Sequence, residues 1–238
     1  MGKIRAVLFD FTQTLVNSAD GFRKAEKQAQ GRIFDDLAEP SMESFLAEYR
    51  RIRAKCHRNA VFSRRRIWTA VYTHFNREPG RESLVEWERD YWETVASLTA
   101  PFPEATGVLR ELAMTYELGL VTNVQGEPGH ASHLLDRFPE LKAPFSAIVV
   151  AGTAAVPAKP RTEPFERCLH ALGLAADEAV FVGDDWRVDI QGAANAGIRP
   201  IWLQHRSVKR NWPEVETEIP VITSLTAVAE VIDALSCD

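Results

Sequence analysis

The chain has 238 residues, 45% of them hydrophobic, enough to fill one large domain or a core with an inserted module, which excludes an intrinsically disordered protein. A net charge of -5 argues against general nucleic-acid binding, and no apolar run approaches the roughly 20 residues a membrane span needs. Cys56, Cys168 and Cys237 are odd in number and far apart, which points away from a disulfide framework or a zinc cluster and toward a reducing cytoplasm.

The chain start runs directly into a strand, without the apolar region of a signal peptide, so the protein is expected to stay where it is made. Residues 3–10 predict a buried strand, because Ile4, Ala6, Val7, Leu8 and Phe9 form a short apolar run ending at the carboxylate of Asp10. The next strand comes very late. The intervening stretch has helical periodicity instead: Phe22, Ala25, Ala29, Ile33 and Leu37; then Met42, Phe45, Tyr49 and Ile52; then Ile67, Trp68, Val71, Tyr72 and Phe75; then Leu84, Trp87, Tyr91, Val95 and Leu98. Aromatic stripes at this spacing are read as packed core rather than as a ligand box. This stretch therefore reads as a helical module, residues 17–99, inserted into an α/β core of residues 1–16 and 100–238.

Charge is uneven between the two. Residues 16–100 hold 15 Lys+Arg against 13 Asp+Glu, a balance of +2 that leaves -7 for the remainder. Residues 50–66 carry eight basic side chains and no acidic one. That run reads as a solvated helix face and the connection after it, the sharper alternative being a surface that attracts anionic substrates.

Pro101-Phe-Pro marks the return from the insert, with Pro103 placed in the first turn of a helix carrying Val108, Leu109 and Leu112. Strands are then predicted at 118–121, 145–150, 179–182 and 200–203, with Val221 and Ile222 as one more, each separated by a helix-length segment. Such alternation implies a doubly wound parallel sheet with helices on both faces. Gly173 and Gly197 stand where helix ends want a left-handed residue. His130 and His133 have i, i+3 spacing but no third ligand, so they are read as a surface helix face.

In an open α/β sheet, chemistry gathers beyond the carboxyl ends of the strands. Four polar clusters fall there: Asp10-Phe-Thr-Gln-Thr14, Thr122-Asn123, Ala158-Lys159-Pro160, and Gly183-Asp-Asp-Trp-Arg-Val-Asp189. Each alone suits a turn or a helix cap. Together they supply a carboxylate nucleophile, hydroxyl and amide donors, a cation, and further carboxylates for a metal, which is what phosphoryl transfer requires.

These four clusters, in this order, resemble the motifs of the haloacid dehalogenase superfamily. The likeness extends through Pro164-Phe165, Ala171-Leu172-Gly173, Phe181-Val182-Gly183-Asp184 and Ala193-Ala194-Asn195-Ala196-Gly197, and the inserted helices resemble that family's type-one cap. The resemblance implies a Rossmann-like core and a magnesium-dependent phosphatase acting on a small phosphorylated metabolite, while charge and hydropathy predict neither nucleic acid nor membrane as a partner. It implies that Asp10 attacks phosphorus and that Thr122 and Asn123 hold the phosphoryl group. Lys159 would neutralise the nucleophile and the phosphoryl oxygens. Asp10, the Thr12 carbonyl and Asp184 would hold Mg2+, with Asp185 as a substitute for Asp184 and Asp189 as support.

Thr12 departs from the pattern, since family phosphatases usually carry there an aspartate that protonates the leaving group and then activates water. Losing a general acid and base costs about 10²–10⁴ in rate. The chain is thus expected to be a slow phosphomonoesterase unless a cap carboxylate or histidine supplies the proton, the leaving group is good, as in an acyl phosphate, or the phosphoenzyme is long-lived. Threonine at this position resembles the ion-pumping ATPases of the superfamily, so Asp10 can still be phosphorylated. Gln13, where glycine is usual, is a second departure. Two alternatives stand beside this reading: a metal-independent carbon–halogen hydrolase, and a binding or regulatory protein with an unreactive pocket.

Overall fold

The computed structural model describes residues 3–59, 61–126, 134–208 and 211–237. In chain order the elements are β1 (Ala6–Phe9), β2 (Val16–Asn17), α1 (Ala19–Leu37), α2 (Met42–Arg58), α3 (Arg64–His74), α4 (Arg81–Ser97), β3 (Ala100–Pro101), α5 (Ala105–Leu112), β4 (Glu117–Asn123), α6 (Pro139–Lys142), β5 (Ala147–Ala151), α7 (Glu163–Leu172), β6 (Ala179–Gly183), α8 (Gln191–Asn195), β7 (Arg199–Leu203), β8 (Val221–Ile222) and α9 (Val228–Cys237). They form two compact units, one of Met1–Asn17, Ala100–Val124 and His133–Asp238, the other of Ser18–Thr99 and Gln125–Ser132.

The first unit is the expected α/β architecture. Six of its strands form a parallel sheet in the order β5-β4-β1-β6-β7-β8, and β2 and β3 form a separate antiparallel pair. The chain leaves β1 toward β4 and β5 on one side and later returns to build β6, β7 and β8 on the other. The sheet's switch point is therefore at β1. β1 is wholly buried because both its neighbours and both its faces are covered. Val7 and Phe9 join Leu118, Leu120, Val180 and Val182 under α5 and α9. Ala6 and Leu8 join Val121, Phe181, Phe165 and Cys168 on the opposite face. Period-two alternation thus distributes one apolar run between two cores. At Gly119 a Cβ would come within 2.6 Å of the Cys168 sulfur, so glycine lets α7 lie close on β4.

Several boundaries differ from the sequence-based expectation. β1 begins at Ala6 rather than residue 3, although the Arg5 N–H still donates to the Glu178 carbonyl at 2.7 Å. β5 begins at Ala147, leaving Phe145 outside the strand but packed on the core. Pro103 lies before α5, whose N-cap is Glu104, rather than in its first turn. Gly173 and Gly197 have φ of 67° and 77°, the left-handed conformation anticipated for helix ends.

The second unit is helical, and its apolar stripes meet in one core in which Tyr49, Trp68, Tyr72 and Tyr91 are buried. Two aromatic polar groups are matched there: the Trp68 indole donates to the Tyr49 hydroxyl at 3.1 Å, and the Tyr72 hydroxyl to Asp36 at 2.6 Å. Met42 and Leu98 are exposed instead of joining the stripe, because they sit at the first residue of α2 and the C-cap of α4. Cys56 and Cys168 are free thiols. His130, His133 and the side chain of Cys237 lie outside the described residues. Among those described, no helix is long and apolar enough to cross a membrane.

Candidate active site

Parallel register brings the polar clusters of the α/β unit to one edge. Phe9 pairs with Leu120 on one side and Val182 on the other, so Asp10, Thr122 and Gly183-Asp184 all follow at the carboxyl ends of three adjacent strands. The Asp10 N–H continues the ladder by donating to the Val182 carbonyl at 3.0 Å. Asp10 as a whole is 7% exposed.

Lys159 arrives from the loop after β5. Asn123 holds it by the backbone: Oδ1 accepts from the Lys159 N–H at 2.9 Å, and Nδ2 donates to the Lys159 carbonyl at 3.2 Å. Both ends of the Asn123 amide are thereby engaged. Its side chain orients the lysine segment, which differs from the phosphoryl-holding role expected from sequence. The Lys159 ammonium donates to Oδ1 of Asp10 and Oδ1 of Asp189, each at 2.7 Å, and stands 5.3 Å from the centroid of the Phe181 ring.

Asp189 reaches this position through a π-helical turn, Trp186–Ile190. Asp185 builds the turn, its Oδ1 accepting from the N–H groups of Arg187 and Val188 at 3.0 and 2.9 Å. The Asp185 N–H donates to Oδ2 of Asp189 at 3.0 Å. A Cβ at Gly183 would come within 2.5 Å of that of Asp189, so the return of Asp189 depends on glycine. Asp184, 5% exposed, has its carbonyl bound by the Trp202 indole at 3.0 Å.

Oxygens of Asp10, Asp184 and Asp189 lie within 4.8 Å of one another. Three carboxylates face one ammonium. Burial and the Asp10 charge push Asp189 up to about 6 against the opposing pull of Lys159. Burial pulls Lys159 down, but Asp10 and Asp189 together outweigh it and raise its affinity for a proton. Lys159 is therefore cationic at neutral pH, and the excess of buried negative charge, carried on hard oxygen donors, suits a small divalent cation. Asp189 has both oxygens engaged by protein donors. Asp10 has only Oδ1 engaged among the described residues. Asp184, rather than Asp185, joins the cluster, because the Asp185 carboxylate caps the turn.

Thr122 is fully buried and its hydroxyl has no partner among the described residues, an arrangement rare in folded proteins. Thr12 is half-buried in a tight turn where the Leu15 N–H donates to the Phe11 carbonyl at 2.8 Å. Gln13 within that turn has φ of 66°. Two contributors escaped the sequence reading: Trp202, which looks like any apolar strand residue, and the Asp185 turn, whose geometry no spacing rule encodes.

A family model described as haloacid dehalogenase-like hydrolase matches residues 4–197. The chain is 31% identical to a phosphoglycolate phosphatase of Photorhabdus laumondii over 85% of this chain and 81% of that one. It is 25% identical to a glyceraldehyde 3-phosphate phosphatase of Methanopyrus kandleri over 91% of both chains. A HAD-hydrolase of Bacillus subtilis solved with magnesium shares the fold, with a TM-score of 0.67 at 20% identity over 98% of this chain and 100% of that one.

Proposed function

The chain belongs to the haloacid dehalogenase-like hydrolase family, and from that premise we propose that it is a magnesium-dependent phosphatase that hydrolyses a small phosphorylated metabolite through an aspartyl-phosphate on Asp10. The supporting observation is the state of Asp10 itself, a buried carboxylate with one oxygen held by Lys159 and the other without a protein donor among the described residues. A carboxylate oriented in this way is positioned to attack a phosphorus brought to its free oxygen.

On this reading a carboxylate oxygen of Asp10 bonds to phosphorus as the bond to the ester oxygen breaks, and the leaving oxygen takes a proton from solvent or substrate. Water then attacks the same phosphorus and frees the carboxylate. Thr122 donates its otherwise unpartnered hydroxyl to a phosphoryl oxygen, and Lys159 balances the charge that accumulates between nucleophile and phosphoryl group. Asp189 and Asn123 keep Lys159 in place. Asp10, the Thr12 carbonyl and Asp184 would hold magnesium, which supplies Lewis-acid neutralisation of phosphoryl oxygens. Thr12 leaves the acid/base step without a carboxylate at its usual position, so acyl phosphates are favoured over plain esters. The helical module, residues 17–99, selects the substrate, while residues 1–16 and 100–238 carry the chemistry. The crowding of Asp10, Asp184 and Asp189 weighs against a metal-free carbon–halogen hydrolase, because such carboxylates repel one another without a cation.

The test is phosphate release from a panel of phosphorylated metabolites, acyl phosphates included, with magnesium and with chelator, in wild type and Asp10→Asn. Magnesium-dependent turnover abolished by Asp10→Asn is expected. Chloride release from haloacids that survives chelator would overturn the reading.

A further inference from the structure

The helical unit holds a concavity of about 600 Å³ whose charge is one-sided. Arg23, Lys27, Arg50, Arg53 and Arg64 line it against a single carboxylate, Glu26. Part of this charge is already matched. Arg23 stands 2.6 Å from Asp20, and Arg53 lies 3.2 Å from Oε1 of Glu26, an ion pair without hydrogen-bond alignment. The other Glu26 oxygen accepts from the Tyr91 hydroxyl at 3.2 Å.

Arg64 is different. It is 5% exposed, yet it forms no ion pair with any carboxylate among the described residues. Its guanidinium carbon lies 4.8 Å from the centroid of the Tyr91 ring and 5.6 Å from that of Trp92. Nη1 makes one long bond, 3.4 Å, to the Phe62 carbonyl, and Nε is buried without a partner among the described residues. Cation–π contacts recover only part of what an ion loses on leaving water. The buried Glu88, whose charge is felt at Arg64, is paired with Arg65 instead, and His57 adds no negative charge: burial, then the charges of Arg53 and Arg64, push it down to about 4. Lys27 and Arg50 are exposed and add to the cationic excess.

We propose that this concavity is a binding site for a small organic oxyanion, a carboxylate or phosphate group seated on the Arg64 guanidinium and drawn in by Arg50 and Lys27. Two aromatic rings stand beside the guanidinium, and a guanidinium can donate two parallel bonds to one oxyanion. The site goes beyond the phosphatase reading and does not depend on turnover at Asp10. Its occupant is either a second anionic group of the substrate or a separate anion, the recognising chemistry being the same.

Malonate, an oxyanion without phosphorus, titrated calorimetrically into the full chain tests the site. Saturable binding is expected, weakened about tenfold or more by Arg64→Met, as loss of charge-assisted bonds implies, and unchanged by Asp10→Asn. Thermal melts establish that each variant folds. The Lys27→Gln/Arg50→Gln double variant, altered only at exposed positions, is expected to weaken binding several-fold and serves if Arg64→Met does not fold. Absence of saturable binding in wild type, or binding indifferent to these variants, overturns the proposal. The source is read from kcat/KM on 2-phosphoglycolate against ethyl phosphate: a loss in Arg64→Met confined to the former identifies the substrate's own carboxylate. Equal responses alongside Arg64-dependent malonate binding identify a separate anion.

Discussion

Lys159 donates to Asp10 Oδ1 at 2.7 Å from a side chain only 1% exposed, so the proposed nucleophile and its counter-ion form one buried unit. The same ammonium serves Asp189. Replacing it by methionine leaves carboxylates without their cation. Lys159→Met is expected to lower stability by about 3–5 kcal/mol and kcat by about 10²–10³. Urea melts and phosphate release measure the two effects, and a fully stable variant would contradict the pairing.

Asn123 acts on Lys159 through its backbone, so its removal should displace the ammonium without removing charge. Asn123→Ala is expected to cost about 1–3 kcal/mol through the unsatisfied Lys159 peptide groups. It should lower kcat more than it changes KM. A change confined to KM would instead indicate direct substrate contact.

Thr12 supplies no proton at neutral pH. Thr12→Asp is expected to raise turnover of plain phosphate esters by about 10²–10⁴ while leaving acyl phosphates less affected, since their leaving groups need little protonation. Parallel steady-state assays on both substrate types decide it. An unchanged ester rate would mean that another group already performs this step.

Gln13 holds a φ of 66° in the turn after Asp10. A non-glycine residue there costs about 1–2 kcal/mol, partly offset in a glycine variant by about 0.5–1 kcal/mol of backbone freedom. Gln13→Gly should therefore stabilise the chain by up to about 1 kcal/mol, and Gln13→Val should destabilise it. Thermal melts showing the reverse order would contradict the left-handed turn.

His57 lies in the cationic concavity, and its affinity for a proton falls from an ordinary 6.5 to about 4. The unfolded chain then binds more protons between these values, so stability is complete above 6.5 and is lost as pH falls toward 4. The drop corresponds to at most about 3 kcal/mol, cut to about 1–2 kcal/mol by partial exposure of the ring. His57→Gln should flatten this part of the profile. Urea melts of both proteins at neutral and mildly acidic pH supply the comparison.

Much of this molecule is legible along the chain because its signals are local. A short apolar run such as Ala6–Phe9 must be buried on both faces, and helix-length spacers between such runs leave a parallel sheet as the solution. That topology alone carries Asp10, Thr122 and Asp184 to one edge, since parallel strands end together. Tertiary structure decided what remained ambiguous. Asp184 and Asp185 are adjacent and chemically identical, and only the turn that uses Asp185 as its cap separates their roles. Asn123 and Lys159 are 36 residues apart, and nothing near either one announces their hydrogen bonds. Arg64 looks like one member of a basic run, yet its burial against Tyr91 and Trp92 sets it apart. Periodicity reports which side of an element faces inward. The partner that a polar atom finds there depends on distances between segments remote in the chain, which only folding brings together.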